Sequence, residues 1–341
     1  MGNLPTYRPN ALASCAAARL LDEDTICVVR AAVLRQLGVP QVDDFEEPPL
    51  DVSAEQAVVD VLAAGLNPVD VAIAAGRFYA GPPPLPCVTG REGVGLLDGR
   101  RVYFDAPVLP FGSMAERALI DERSTYDVPD GVDDGVAVAL GIAGMTAWLA
   151  LTWRAELAPG EHVLVLAASG VLGQVAVQSA KLLGAARVVA AARSQDGLEH
   201  CLEIGADAAV RLDKDLSQLA QELAEAAQGR IDVVVDPLFG EPFTAAANAA
   251  SFQARIVQLG AGAGAEATLS SAAVRGKLLA VLGLTYFAAP AELKREAHAR
   301  LCAAVLSGQL RIEHESFALE RVAEAWEHLS AGAHRKIVLV P

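Results

Sequence analysis

The sequence predicts an α/β protein organised around a doubly wound parallel sheet. The prediction rests on a strand, a turn, a helix and a second strand that follow one another along the chain. Val163–Ala167 is a short apolar run rich in branched residues, as in a strand buried on both faces. The turn Ala168–Gly173 follows at once, and helical periodicity continues through Gln174–Leu183. A second apolar strand, Arg187–Ala192, completes a unit of strand, glycine turn, helix and strand.

The turn has the form A-x-G-x-x-G, with Ser169, Val171 and Leu172 between and beside its glycines. A helix N-terminus offers unpaired N–H groups and a partial positive charge, so a pyrophosphate can rest there. Gly170 lets the backbone approach the phosphates, and Gly173 lets the helix pack closely on the strand. An alanine replaces the first glycine of the fingerprint, but the flanking strand and helix restore the prediction of dinucleotide binding.

The choice of cofactor is predicted from the end of the second strand. An enzyme that uses NAD usually carries an acid there, about 20 residues after the glycines, which hydrogen-bonds the adenosine ribose. The matching residue is Ala192, and Arg193 and Ser194 follow it. Because an arginine can bind the 2′-phosphate bidentately, we expect NADPH, and the alternative is a solvated surface arginine. Gly260 follows a later predicted strand, whose end is expected at the same crevice.

Composition limits the class of protein. The 341 residues exceed the usual limit of a single core, which indicates two domains. The net charge of -15 argues against binding to nucleic acid or to an anionic membrane surface. The 5 cysteines are scattered, so we expect no disulfide framework and a reducing, cytoplasmic setting. Val136–Trp153 carries no charge, but its glycines and threonines favour a buried helix over a membrane span.

The other elements follow from turn and periodicity signals. Residues 1–27 are interpreted as an extension, loosely packed or covering a surface. Strands at Ile26–Leu34 and Gln56–Ala64 are predicted to be antiparallel, with an acidic connection at Asp43–Glu47 and a short helix opening at Gly65–Asp70. The later predicted elements are strands at Ile231–Asp236, Arg255–Leu259, Lys277–Phe287 and Lys336–Val340, and a helix from Pro290 to Leu306.

Motifs along the chain resemble one enzyme family. They are GLNPVDVAIAAG at 65–76, LPCVTGREGVG at 85–95, AASGVLGQVAVQSAKLLGA at 167–185 and HRKIVLVP at 334–341. From about residue 28 to the end, the chain resembles the zinc-free medium-chain dehydrogenases/reductases of the quinone oxidoreductase family. The resemblance implies a GroES-like partial β-barrel catalytic domain at 28–128, a Rossmann NADP-binding domain at 129–288 and a return to the catalytic domain at 289–341.

The resemblance also bears on metal and activity. Where zinc-dependent relatives bind catalytic zinc, this chain has Asn67, Arg91 and Ile142 or Ala143, none of which is a usual zinc ligand. Without a Lewis acid, we expect NADPH-dependent hydride transfer to an already activated acceptor, a quinone or an α,β-unsaturated carbonyl (enone or enoyl) compound. By family analogy, a biosynthetic pathway is a plausible setting. The alternative is an NADPH-binding protein of this fold with vestigial catalysis, acting as a sensor or interaction partner.

Three residues near the predicted acceptor site carry alternative roles. The resemblance implies that Asn67 and Asp70 orient substrate or ribose, although Asn67 equally suits a helix N-cap. Arg91 either binds an anionic substrate group or pairs with Glu92 or Asp70, and we expect the pairing.

The remaining site residues come from the resemblance alone. Tyr79 lies in the loop that carries a tyrosine over the nicotinamide in the family, but Phe78 occupies the family's own position. Tyr79 is therefore a candidate proton donor or a packing residue. Thr146 is expected at the nicotinamide end, and the alternative is a hydroxyl bonded to its own helix. Related proteins often dimerise through the last Rossmann strand, so a homodimer is expected.

Overall fold

The computed structural model describes residues 27–49 and 51–341. The predicted extension at 1–27 lies outside this part, apart from its last residue. Cys87, Cys201 and Cys302 are free thiols, whereas Cys27 is disulfide-bonded.

The first part of the chain forms antiparallel sheets. Its strands are β1 (Val28–Leu34), β2 (Gln41–Glu46), β3 (Gln56–Leu66), β4 (Cys87–Val88), β5 (Gly93–Leu97), β6 (Arg100–Phe104), β7 (Arg117–Asp121) and β8 (Thr125–Asp127), and the helix α1 (Pro68–Ala74) lies between β3 and β4. The predicted acidic connection is wrong, because β2 pairs with β1 along its whole length and exposes Asp44 and Glu46 on one face. The turn Asp98-Gly99 joins β5 to β6 with positive φ at both residues, which is typical of a tight hairpin.

The parallel sheet follows the helix α2 (Asp134–Arg154). Its strands are β9 (His162–Leu166), β10 (Arg187–Ala192), β11 (Ala208–Arg211), β12 (Val233–Asp236), β13 (Arg255–Gln258) and β14 (Ala280–Gly283), and its helices are α3 (Val171–Leu182), α4 (Gln195–Glu203), α5 (Leu216–Ala226), α6 (Gly240–Ala249) and α7 (Ser271–Lys277). The strand order is β11-β10-β9-β12-β13-β14, so the order reverses between β9 and β12. In such a sheet ligands bind at that reversal, outside the carboxyl ends of the strands.

The predicted last strand of this sheet is too long. The range Lys277–Phe287 contains only the four residues of β14, preceded by the end of α7 and followed by a 3-10 turn at Tyr286–Ala288. Alternating exposure of β14 explains the error, because an edge strand is short and half exposed. The aromatic residues of the predicted strand therefore lie in a turn beyond the sheet.

The end of the chain returns to the antiparallel sheet. Its elements are the helix α8 (Ala291–Leu306), the strand β15 (His314–Ala318), the helix α9 (Val322–Ser330) and the strand β16 (Lys336–Val340). The strand β16 pairs antiparallel with β3, so that Ile337 lies opposite Leu66. The seven-stranded path is β15-β16-β3-β5-β6-β8, with β7 on β3. This pairing places Lys336 beside the residue that opens α1, although the two are far apart in sequence.

The helix α2 crosses from one domain to the other. It is long and apolar enough to span a membrane by length and composition, but 78% of its most apolar window is buried inside the protein. The predicted buried helix is confirmed. Its regular hydrogen bonding is interrupted at Gly141, where ψ is -125°, because a side chain of the catalytic domain takes the next backbone N–H.

A buried carboxylate joins the two domains. Asp105, just after β6, accepts hydrogen bonds from the hydroxyls of Tyr126 (3.2 Å) and Tyr286 and from the ammonium of Lys294 (2.9 Å). Tyr286 follows β14 and Lys294 belongs to α8, so two regions that are distant in sequence, 105–126 and 286–294, meet at one side chain. Since buried charges are held by such partners, this cluster fixes the crevice between the domains.

Candidate active site

The glycine turn lies at the carboxyl end of β9, where the strand order reverses. Gly170 is the N-cap of α3, and no side chain caps the first N–H groups of that helix. A methyl group added at Gly170 would meet only the Ala167 carbonyl, at 3.6 Å. At Gly173 it would lie 2.5 Å from both the Ala167 carbonyl and the Ala168 Cα. Gly173 is therefore required for packing, whereas Gly170 leaves the N-terminus of α3 without a side chain over it, which is the space the predicted phosphate would need.

The turn is held in place by side chains that the sequence did not indicate. The carbonyl of Ser169 accepts a hydrogen bond from Gln174 Nε2 (2.8 Å) and lies 3.2 Å from His334 Nδ1. Gln174 Nε2 also donates to the carbonyl of His334, at 2.6 Å. The segment that returns to the catalytic domain thus fixes the cofactor turn. No local pattern could have predicted this contact, because the two segments are 160 residues apart.

The residues after β10 lie where the adenosine ribose is expected. The Arg193 side chain is exposed and forms no hydrogen bond or ion pair with the described residues. Ser194 is the N-cap of α4, and its hydroxyl accepts a hydrogen bond from the Gly197 N–H at 3.2 Å. Arg193 is therefore available for a phosphate, while Ser194 also has a structural role.

Two more predicted residues lie deeper in the crevice. The hydroxyl of Thr146 donates a hydrogen bond to the carbonyl of Ile142 in its own helix, which matches the structural alternative given for it. Gly260 follows β13, and a methyl group there would lie 3.0 Å from the Pro237 carbonyl. These positions are compatible with a cofactor but do not by themselves require one.

The acceptor side is built around Glu92, whose side chain is completely buried. Its Oε1 accepts hydrogen bonds from Asn67 Nδ2 (2.7 Å) and Lys336 Nζ (2.6 Å). Its Oε2 accepts from the Tyr103 hydroxyl and the Ile142 N–H, both at 2.6 Å. Lys336 also donates to Asn67 Oδ1 at 2.6 Å. Each oxygen of the Glu92 carboxylate thus accepts two hydrogen bonds, as a buried charge requires.

Two glycines make room for this carboxylate. A methyl group at Gly65 would lie 2.6 Å from Glu92 Oε1, and one at Gly141 would overlap with Glu92 Oε2. The same substitution at Gly141 would also meet the ring of Tyr103. Both glycines therefore let one side chain approach the backbone closely.

Asp70 lies next to this cluster, and among the described residues only one of its two carboxylate oxygens has a hydrogen-bond partner. Its Oδ2 accepts a hydrogen bond from the Asn67 N–H at 2.8 Å, which caps α1. Its Oδ1 is buried and has no hydrogen-bond partner among the described residues. Burial raises the pKa of Asp70 to about 7, with the nearby Glu92 adding to the rise. This carboxyl group therefore changes charge near neutral pH.

Arg91 does not form the predicted ion pair. The four bonds to Glu92 come from other groups, and Asp70 bonds to the Asn67 backbone. The guanidinium of Arg91 lies instead over the ring of Phe287, at 5.4 Å from its centroid. The prediction fails because Lys336, brought in by β16, already neutralises Glu92.

Tyr79 spans the crevice between the two domains. Its hydroxyl lies 2.9 Å from Thr285 Oγ1, and its side chain is otherwise exposed. Phe78 packs on Tyr79, with ring centroids 4.2 Å apart, and meets Phe287 across the crevice at 6.0 Å. The structure thus brings Tyr79 to the crevice, with a hydroxyl partner on the Rossmann side.

Within residues 27–49 and 51–341, no group of three or more His, Cys, Asp or Glu side chains is arranged to hold a metal ion. A glycine turn lies at the switch point of a parallel sheet, and the partial barrel meets the Rossmann domain where Tyr79 bonds to Thr285 and Arg91 lies over Phe287. These features define a medium-chain dehydrogenase/reductase.

The family follows from comparisons with known proteins. A family model described as zinc-binding dehydrogenase matches residues 171–301. The quinone oxidoreductase-like protein 2 of Rattus norvegicus is 30% identical over 266 residues, which cover 75% of this chain and 74% of that protein. The quinone oxidoreductase of Thermus thermophilus, solved with and without NADPH, is 30% identical with a TM-score of 0.79, covering 92% of this chain and 100% of that one.

The chain therefore belongs to the quinone oxidoreductase family of medium-chain dehydrogenases/reductases. A further relative, the 2-methylene-furan-3-one reductase of Solanum lycopersicum, is 34% identical over 183 residues, covering 48% of this chain and 47% of that protein.

Proposed function

We propose that this protein is an NADPH-dependent reductase that transfers hydride to a quinone or an α,β-unsaturated carbonyl without the help of zinc. The observation that carries the proposal is the open glycine turn at the switch point, with the unpartnered Arg193 at the end of the neighbouring strand. When bound there, NADPH supplies the hydride. The named activities of the relatives, quinone and furanone reduction, support the choice of acceptor.

Arg193 supports NADPH over NADH. The guanidinium is exposed beyond β10, has no competing partner in the described part of the chain, and follows Ala192 where an acid would repel a phosphate. A planar guanidinium suits the 2′-phosphate because it can donate two parallel hydrogen bonds. The open N-terminus of α3 accommodates the pyrophosphate.

The chemistry of the acceptor side supports a reaction without zinc. The ammonium of Lys336 lies 2.6 Å from both Glu92 Oε1 and Asn67 Oδ1, so a cation already neutralises the carboxylate at the centre of that cluster. A zinc ion beside Lys336 and Arg91 would be repelled and would lack thiolate or imidazole ligands. A quinone or enone needs no Lewis acid, because its own carbonyl groups activate it toward hydride.

The side chains around the acceptor would act mainly by positioning. Asn67 and Asp70 are held by the buried cluster and by the first turn of α1. Tyr79 and its partner Thr285 close the crevice from the two domains, so Tyr79 is the side chain we assign to proton delivery, with water as the other source. Thr146 is assigned to the nicotinamide end.

The test is to follow NADPH and NADH oxidation by absorbance with neutral quinones, α,β-unsaturated ketones and enoyl thioesters. We expect turnover with NADPH and one of these acceptor classes, with NADH much weaker. Tight NADPH binding without turnover across the panel would contradict the reductase and favour a sensor or interaction role. If the protein binds neither NADPH nor NADH, both the reductase and the sensor or interaction role are overturned.

The edge of the parallel sheet supports a homodimer. Among the described residues, one edge of the strand β14 has no pairing strand, and Val281 at its centre is 43% exposed. A free edge pairs readily with a second copy. Light scattering of the purified protein is expected to give twice the mass of one chain, and Val281→Lys is expected to shift it toward the monomer; a monomeric wild-type protein would contradict the homodimer.

A further inference from the structure

The Arg91 side chain occupies the crevice between the two domains. It leaves the backbone between β4 and β5 of the catalytic domain and reaches the ring of Phe287, which follows β14 of the Rossmann domain. The ring of Phe78 meets the same phenylalanine, at 6.0 Å between centroids. A guanidinium in contact with aromatic rings is weakly hydrated and keeps its N–H groups for planar acceptors.

This guanidinium forms no direct ion pair within the described part of the chain. In the described part of the chain Arg91 takes part in no hydrogen bond and no ion pair, and its Nε is buried without a partner. Glu92 is saturated by four other donors, which leaves it no capacity for Arg91. Since a buried donor without a partner is costly, such a group in a binding crevice points to a ligand that supplies the missing acceptor.

Asp70 does not supply that acceptor. Its Oδ2 bonds to the Asn67 N–H and its Oδ1 is also unpartnered. The cavity lined by Asp70, Thr89, Gly90 and Arg91 has a volume of about 20 Å³, which suffices for a single water but not for a carboxylate. Any anionic ligand of Arg91 therefore has to enter from the crevice, where hydride transfer is proposed.

We propose that Arg91 binds a carboxylate on the acceptor, so that the preferred substrates are quinones or enones that carry an acidic group. This inference rests on the proposed reductase function and narrows its substrate class. The planar guanidinium of Arg91 would bind the carboxylate. Phe78 and Phe287 provide apolar walls for the ring or conjugated chain of the acceptor. Arg91 thus acts as a specificity residue rather than a proton donor.

The test uses a naphthoquinone that carries a ring carboxylate, with its methyl ester as the neutral counterpart. The measured quantity is the ratio of kcat/KM for the acid to kcat/KM for the ester, with NADPH as donor. For Arg91→Gln we expect this ratio to fall by roughly 10- to 100-fold, the loss of a hydrogen-bonded charge pair. Arg91→Lys keeps the charge but not the planar guanidinium, so its ratio is expected to lie between those of the wild type and Arg91→Gln.

The matched control is Arg100→Gln, which removes one exposed arginine of the same domain, paired with Asp127. We expect its ratio to stay within about twofold of the wild-type ratio, because a surface ion pair contributes little. Equal ratios in wild type and Arg91→Gln would overturn the role of Arg91, while turnover of the ester would still support the reductase.

A binding measurement separates the two proposals if no acceptor is reduced. Naphthoate and naphthamide are then titrated by calorimetry into the NADPH-bound protein. Tighter binding of naphthoate that is lost in Arg91→Gln supports the anion site even though the reductase function fails. Equal binding of the two probes overturns the anion site.

Discussion

The cofactor side of the crevice is made of backbone, whereas the acceptor side is made of buried charged side chains. The turn after β9 needs glycines and an open helix end, and the charged group assigned to the cofactor is the exposed Arg193. The acceptor side holds Glu92, Lys336 and Asp70, all nearly inaccessible to solvent. A backbone site can serve any dinucleotide, whereas a cluster of buried charges has one arrangement, so we expect the cluster to fix the position of the neighbouring Arg91, to which we assign the choice of substrate.

Breaking the charge cluster should have the largest effect. Lys336→Met leaves the Glu92 carboxylate buried without its cation, which we expect to lower the free energy of unfolding by about 3–5 kcal/mol in urea denaturation. The double variant Lys336→Met with Glu92→Gln removes both charges and should recover most of the loss. A loss below about 1 kcal/mol in the single variant would show that this ion pair does not hold the acceptor side.

Asp70 makes the acceptor side sensitive to pH. Its pKa of about 7 lies above the ordinary value of 3.8, because of burial and the charge of Glu92, with Lys336 and Arg91 opposing. The native state therefore binds an extra proton at Asp70 between about pH 4 and 7, so the contribution of Asp70 to the stability of the wild type falls as the pH rises through this range. Asp70→Asn keeps the acceptor for the Asn67 N–H and should remove this slope.

Denaturation of wild type and Asp70→Asn at a series of pH values checks this expectation. The stability of the variant relative to wild type should rise with pH up to about 7 and then level off. Parallel pH profiles for the two proteins would show that the native carboxyl group titrates in its ordinary range.

On the cofactor side, two glycine substitutions should separate packing from phosphate access. Gly173→Ala places a methyl group 2.5 Å from fixed backbone and should cost about 1–3 kcal/mol of stability. Gly170→Ala meets only one atom, at 3.6 Å, so it should fold normally yet bind NADPH more weakly. Thermal melts measure the stability of the two variants, and fluorescence titration measures their affinity for NADPH. Unchanged NADPH affinity in Gly170→Ala would place the pyrophosphate elsewhere.

The two sides of the crevice also differ in how far the sequence could predict them. The cofactor side follows from contiguous residues: Arg187–Ala192 is a strand with the predicted bounds, and the glycine turn lies where expected. The acceptor side depends on contacts such as Glu92 with Lys336, which are 244 residues apart. A sequence pattern shows that both residues exist but not that they meet, which is why the pairing of Arg91 was predicted wrongly.

The two wrongly predicted secondary-structure elements have the same cause. The acidic run at Asp43–Glu47 has the composition of a connection, but pairing with β1 makes most of it a strand. The apolar run at Lys277–Phe287 suggests one long strand, yet only its centre pairs with β13. In both cases tertiary pairing overrides the local signal.

The affinity of Arg193→Ala for the two cofactors tests the assignment of this crevice to NADPH most directly. If Arg193 binds the 2′-phosphate, the variant should bind NADPH more weakly by about 1.5–3 kcal/mol and bind NADH as the wild type does. Arg211→Ala, which removes an exposed arginine at the end of the adjacent strand β11, is the control and should change neither affinity. Equal losses for NADPH and NADH in Arg193→Ala would contradict the assignment.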